Sequence, residues 1–134
     1  MVQRQRRTQL SELQIAVMRV LWRRGEATTA EVVADLAAER GLAHTTVATL
    51  LTRLEKRGAV VQRRDGRIFV YSPRLSEAEV QRSMVAGLVA ALFAGDTAAL
   101  VAHLVREDEV TPGDLAAIRA RLDATPARDE ADDV

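Results

Sequence analysis

Three times in the first half of the chain, apolar residues recur at helical spacing, and each run is closed by a glycine. In the first, Leu13, Val17, Val20 and Leu21 share a face. Ser11 with Gln14 forms a capping box ahead of them, Leu10 can staple against Ile15, and Gly25 ends the run. In the second, Thr28 and Glu31 form the box, and Val32, Val33, Leu36 and Ala37 face inward until Gly41. The third runs from His44 to Gly58, with Val47, Leu50, Leu51 and Leu54 at i, i+3, i+4 and i+7 as its buried stripe. After Gly58 the period drops to two. The stretch AVVQRRDGRIFVYS reads as two strands joined by a two-residue Asp65-Gly66 turn, which sets Arg64 opposite Arg67, and Pro73 stops the second strand. Three helices followed by a hairpin is the order of a winged helix-turn-helix, expected over residues 1–75.

The second half returns to helical spacing. Ser76 and Glu79 open a helix carrying Val80, Met84, Val85, Leu88, Val89 and Leu92 that closes near Gly95. Asp96 caps a shorter one with Leu100, Val101 and Leu104. Thr111-Pro112, with proline at the first helical position, opens a last helix with Leu115, Ile118 and Leu122. So small a helical set buries too little surface to stand alone, and its apolar faces are broad. A symmetric homodimer built by residues 76–123 is therefore expected, with Val80, Met84, Leu88, Leu92, Leu100, Leu104, Leu115, Ile118 and Leu122 as dimerisation residues. Residues 124–134 read as an acidic, disordered tail. The fold class is thus mostly α with a small β-hairpin, a winged helix-turn-helix domain followed by an α-helical dimerisation region.

Composition narrows the chemistry. No uncharged apolar run reaches the roughly 18 residues of a transmembrane span, so no membrane insertion is expected. The basic N-terminus lacks the apolar segment of a signal peptide. The absence of cysteine excludes disulfides and thiolate metal sites and fits a cytoplasmic protein. His44 and His103 fall on different modules, neither with a second ligand at metal spacing. Neither a phosphate-cradling glycine loop nor a nucleophile beside a histidine occurs, so no catalytic residue, metal or cofactor is assigned and no enzyme is expected.

The overall net charge of zero conceals a division. Residues 1–75 hold 14 basic and 7 acidic residues, a balance of +7, and residues 76–134 hold 5 and 12, a balance of −7. Such a split points to an N-terminal half that faces a polyanion. On the third helix, Thr45, Thr49, Thr52, Arg53 and Lys56 form the outward face, with Thr46 at its edge. An internal threonine costs a helix up to about 0.7 kcal/mol relative to alanine. Three of them forgo on the order of 2 kcal/mol, noticeable against the roughly 5–15 kcal/mol of a typical domain. A recognition helix accounts for that loss. Threonine is short enough to let a helix enter the major groove, its hydroxyl can bond phosphates or base edges, and its methyl can touch thymine. Arg53 and Lys56 would neutralise phosphates beside the groove. In the hairpin, Arg63, Arg64 and Arg67 crowd the tip, where a phosphate backbone would relieve the repulsion; charge that protects exposed strand edges is a second reading compatible with the first. Arg4, Arg6 and Arg7 read either as an arm along the duplex or as a plain terminus.

With these residues in this order, the chain resembles the BlaI/MecI penicillinase-repressor family of bacterial winged-helix transcriptional regulators. LSELQIAVMRVLWRRGEATTAEVVADL is similar to the family's opening, TTVATLLTRLEKRGAVVQRRDGRIFVYSP to its recognition helix and wing, and GDTAALVAHLVREDEVTPGDLAAIRARLD to its dimerisation helices. The resemblance implies a homodimer on double-stranded DNA at a palindromic operator, repressing β-lactamase or cell-envelope and stress genes. It also implies a membrane-bound sensor metalloprotease as partner, whose signal leads to cleavage in the C-terminal region. Where the best-studied members carry an Asn-Phe scissile pair, this chain aligns His103 and Leu104 as the candidate cleavage site. The cysteine pattern of the family's copper-responsive branch is missing. Two other functions are open to a winged helix. A winged helix that binds a protein partner would present apolar or acidic anchors on its third helix. A small-molecule-responsive winged-helix regulator would carry more than the four aromatic residues present here.

Overall fold

The start signals in the sequence are occupied as hydrogen bonds in the computed structural model, which describes residues 8–124. Helix α1, Glu12–Arg24, opens with the Ser11 hydroxyl accepting from the Gln14 N–H at 3.1 Å, while Gln14 Oε1 accepts from the Ser11 N–H at 2.9 Å. Gly25 ends it at φ 85°, the left-handed backbone that favours glycine. Thr28 and Glu31 repeat the reciprocal pair at the head of α2, Thr29–Leu36. Helix α3, His44–Lys56, starts at Ala43 with no side-chain cap. Strands β2, Val60–Asp65, and β3, Ile68–Pro73, form the hairpin.

A third strand, β1, Ala27–Thr28, pairs antiparallel with β3 and gives the order β1-β3-β2. Two residues carry no readable period, so the sequence reading contained only the hairpin. Val17, Val20, Leu21, Val32, Val47, Leu51 and Leu54 from the helices meet Ala27, Val60 and Tyr71 from the sheet in one core. Each such aliphatic side chain contributes about 1.5–3 kcal/mol by leaving water. The Trp22 indole N–H donates to the Leu75 carbonyl at 2.8 Å, tying the exit of the wing back to α1. This is a winged helix.

Two local expectations are corrected. Helix α2 stops at Leu36 rather than near Gly41: the Ala37 N–H bonds the Ala34 carbonyl three residues back, a tighter turn, and Ala37 and Ala38 are exposed. The hairpin loop is Gly66-Arg67 rather than Asp65-Gly66. Asp65 stays in the ladder opposite Ile68, so Arg64 lies opposite Phe69 and not opposite Arg67. Gly66 takes the first loop position at φ 65°, where the type II′ turn needs glycine. The like-charge opposition expected at the tip is thereby absent.

Compact units divide between Gly87 and Leu88, inside helix α4, Glu77–Phe93, whereas a division at residue 75 was expected. The difference arises because the start of α4 completes the first core: Val80 is 2% exposed within it and Met84 packs against it. In the second unit, helix α5, Thr97–Arg106, is capped by Asp96, which accepts from the Ala99 N–H at 3.1 Å. Thr111 and Asp114 cap helix α6, Pro112–Ala124. Neither α5 nor α6 has a fully buried residue. Among the described residues no single helix is long and apolar enough to cross a membrane. The tail expected from Ala124 onward lies, beyond that residue, outside the described chain, as do Arg4, Arg6 and Arg7.

Candidate nucleic-acid interface

The apolar stripe of α3 orients everything else on it. With Val47, Leu50, Leu51 and Leu54 buried, Thr45, Thr46, Thr49, Thr52, Arg53 and Lys56 are all exposed. The Thr49 hydroxyl donates to the Thr45 carbonyl and the Thr52 hydroxyl to the Ala48 carbonyl, each at 2.9 Å. Such back-bonding occupies the hydroxyl proton within the helix. What Thr49 and Thr52 offer outward is an acceptor lone pair and a methyl group, which suit an exocyclic amine or a thymine methyl at a base edge. The threonines are legible in the sequence, whereas this orientation of their hydroxyls appears only in the folded helix.

Charge is distributed so that α3 keeps its cations available. Glu12 is paired with Arg40 at 2.7 Å, and the bond holds its carboxyl below the ordinary range. Asp35 takes both Arg24 Nε at 2.7 Å and Arg24 Nη2 at 2.8 Å, which lowers its pKa and raises that of Arg24. Glu31 is lowered first by the Thr28 backbone N–H. These acids on α1 and α2 are thus engaged with one another's cations and caps. Among the described residues, Arg53 and Lys56 have no carboxylate partner. Arg57, just past α3, donates to the Gln9 carbonyl and fixes the chain ahead of α1 against the end of the helix.

The wing separates its arginines. Alternation along the strands puts Val60, Gln62 and Arg64 on the sheet face of Phe69, Tyr71 and Ala27, the side turned to the core. Arg63 shares the other face with Val70 and Thr28. The Arg64 guanidinium lies 5.8 Å from the centre of the Phe69 ring, a cation–π distance, and its Nε donates to the Gly66 carbonyl at 3.1 Å. Arg63 is bound side-on to Glu26, by Nη2 at 2.9 Å and Nε at 3.2 Å, and its pKa is raised by that bond. Arg67 stands in the loop, exposed. Glu26 and Phe69 were missed in the sequence because the partners they serve lie across strands whose register only the folded sheet defines.

The model of the penicillinase repressor family matches residues 10–124. The chain belongs to that family. Among relatives, the transcriptional regulator BlaI of Mycobacterium tuberculosis is 42% identical over 100 residues, covering 73% of this chain and 72% of its own. The penicillinase repressor of Bacillus licheniformis is 27% identical over 103 residues, covering 77% of this chain and 80% of its own. The solution structure of the DNA-binding domain of the repressor BlaI is similar at 35% identity with a TM-score of 0.49, over 53% of this chain and 87% of that one. The penicillinase repressor family is one of transcriptional repressors, not enzymes.

The remaining expected residues lie in or near the second unit. His103 is exposed on α5 with its ring 5.9 Å from that of Phe93, and Leu104 beside it is half-buried. Of the expected dimerisation residues, Leu92 and Leu122 are each 70% exposed, Leu88, Leu115 and Ile118 are also exposed, and Leu100 is half-buried. A cavity of about 270 Å³ on α1 and α2 sets Glu12, Asp35 and Glu39 against Arg19, Arg23 and Arg40.

Proposed function

We propose that this penicillinase repressor-family protein is a dimeric, sequence-specific DNA-binding transcriptional repressor acting in the cytoplasm. Each subunit inserts α3 into a major groove of a palindromic operator, with Thr45, Thr46, Thr49 and Thr52 at base edges and Arg53 and Lys56 on phosphates. The wing, with Arg63, Arg64 and Arg67, lies on the flanking backbone. The observation that carries this reading is the exposed face of α3: four threonines and two cations without carboxylate partners among the described residues, on a helix anchored by four buried apolar side chains. Support for the dimer comes from the exposed large apolar residues of α4 and α6, Val85, Leu88, Leu92, Leu115, Ile118 and Leu122, which burial against a second copy would remove from water. The regulated genes are those of β-lactamase or of the cell envelope and stress response, and repression is relieved by proteolysis through a membrane sensor protease. Cleavage at His103-Leu104 needs α5 to open. In the single chain that helix has no fully buried residue, so its opening exposes no closed core.

Replacing Arg53 or Lys56 with alanine tests the helix assignment. Each is expected to weaken binding and to lower the slope of log K against log salt by about 0.9, the increment for one phosphate contact. Unchanged slopes in both variants, measured by fluorescence anisotropy, would remove α3 from the interface.

A further inference from the structure

We propose that Glu26 and Arg63 form a latch that sets the wing, so that Arg63 is a positioning residue while Arg64 and Arg67 deliver the wing's charge to DNA. This refines the proposed DNA contact and rests on it. Arg63 lies on β2 and Glu26 just ahead of β1, on opposite sides of the central strand β3. Their bidentate pair, with donor distances of 2.9 and 3.2 Å, therefore bridges all three strands. Val70, opposite Arg63 on one side and Thr28 on the other, is the β3 residue in register with the pair, and it is 7% exposed although it lies outside the core cluster. Asp65 occupies the same face of β2 two residues on and adds to the field holding Arg63. The side chains of Arg63 and Glu26 are 55% and 51% exposed, so water screens the pair, and what the two-point grip fixes is the direction of the guanidinium.

Arg64 is placed differently in each respect. It projects to the opposite face, the one shared with Tyr71 and Ala27 of the core, and its flat guanidinium is held over Phe69 rather than by an acid. A cation–π contact of that kind leaves the charge unneutralised. Arg67 shares the tip, where the chain turns at Gly66. Two adjacent arginines on one strand thus serve two purposes, and strand alternation assigns them.

The discriminating variant is the charge exchange Glu26→Arg with Arg63→Glu, made in the full chain beside Arg63→Glu alone and Arg64→Ala. The probe is a labelled duplex selected from random DNA by the wild-type protein, with anisotropy followed across salt. Arg64→Ala is expected to lower the slope of log K against log salt by about 0.9. Arg63→Glu, which sets two carboxylates together, should weaken binding several-fold. The exchange restores the latch with opposite polarity and should recover both wild-type affinity and wild-type slope. If the exchange instead stays weak with its slope reduced by about 0.9, Arg63 itself touches a phosphate and the latch is overturned. If the wild-type protein selects no duplex and shows no salt-dependent binding, the DNA reading fails and takes the latch with it. Melting curves by circular dichroism keep the two effects apart, since the exchange is expected to melt with the wild type.

Discussion

Thr49 and Thr52 hold the tension between stability and function at its smallest scale. Their hydroxyls donate to the helix's own carbonyls, so the protein retains poor helix formers and points a methyl and a lone pair outward. Alanine at either position is expected to raise stability by a few tenths of a kcal/mol, read as a higher melting temperature. The same change should lower discrimination between selected and competitor duplexes. Constant specificity in both variants would mean that these threonines are only tolerated on a solvated face. Acid sensitivity also originates in single residues. Glu12, Glu31 and Asp35 all have folded-state pKa values below their ordinary ones. They therefore favour the folded state above the ordinary carboxylate range, and that contribution is lost as pH falls through the lowered values. Stability should decline below about pH 4, and Asp35→Asn should flatten the decline measured by denaturant unfolding across pH. A variant as acid-sensitive as the wild type would disprove this contribution.

Among the elements, those with a long apolar period were legible in the sequence. Helices α1 and α3 fall where Ser11 and Gly25, and His44 and Gly58, bracket their stripes, and all four residues expected on the buried side of α3 are buried. The wing was legible as a hairpin but not in its register. Either Asp65-Gly66 or Gly66-Arg67 makes an acceptable two-residue loop, and the choice was decided by pairing Asp65 with Ile68 rather than by local preference. That one-residue shift of the loop is what separates an arginine pair in repulsion from an arginine at cation–π distance from Phe69. Gly66 is the pivot. At φ 65° with open space around it, a side chain meets no neighbour but must adopt left-handed backbone. Gly66→Ala is expected to cost about 1–2 kcal/mol from the backbone alone and to weaken DNA binding through the wing. Unfolding midpoints unchanged by the substitution would show that the turn relaxes freely.

For the whole molecule, the sequence's split of charge maps onto the proposed roles, a basic winged helix and an acidic helical second half. The place of Val80 was not legible, because a periodic apolar helix looks alike whether it closes its own core or meets a partner. The structure uses Val80 and Met84 for the first core and leaves Leu92 and Leu122 exposed. Leu92→Lys with Leu122→Lys is therefore expected to yield a monomer by sedimentation, with a folded winged helix. Affinity for a palindrome should fall while affinity for a single half-site is kept. A variant that remains dimeric would move the interface elsewhere. Two-fold symmetry further requires half-sites separated, centre to centre, by about 10–10.5 bp or a multiple of it.

The most direct test is fluorescence anisotropy of the wild-type protein on the DNA upstream of its own gene and neighbouring genes, titrated across salt against a scrambled duplex of equal length. A repressor that reads sequence through α3 should bind one segment tightly, with log K falling by about 0.9 for each phosphate neutralised, and bind the scrambled duplex far more weakly. Equal affinity for both, or no binding even at low salt, would contradict the assignment of the threonine face to DNA.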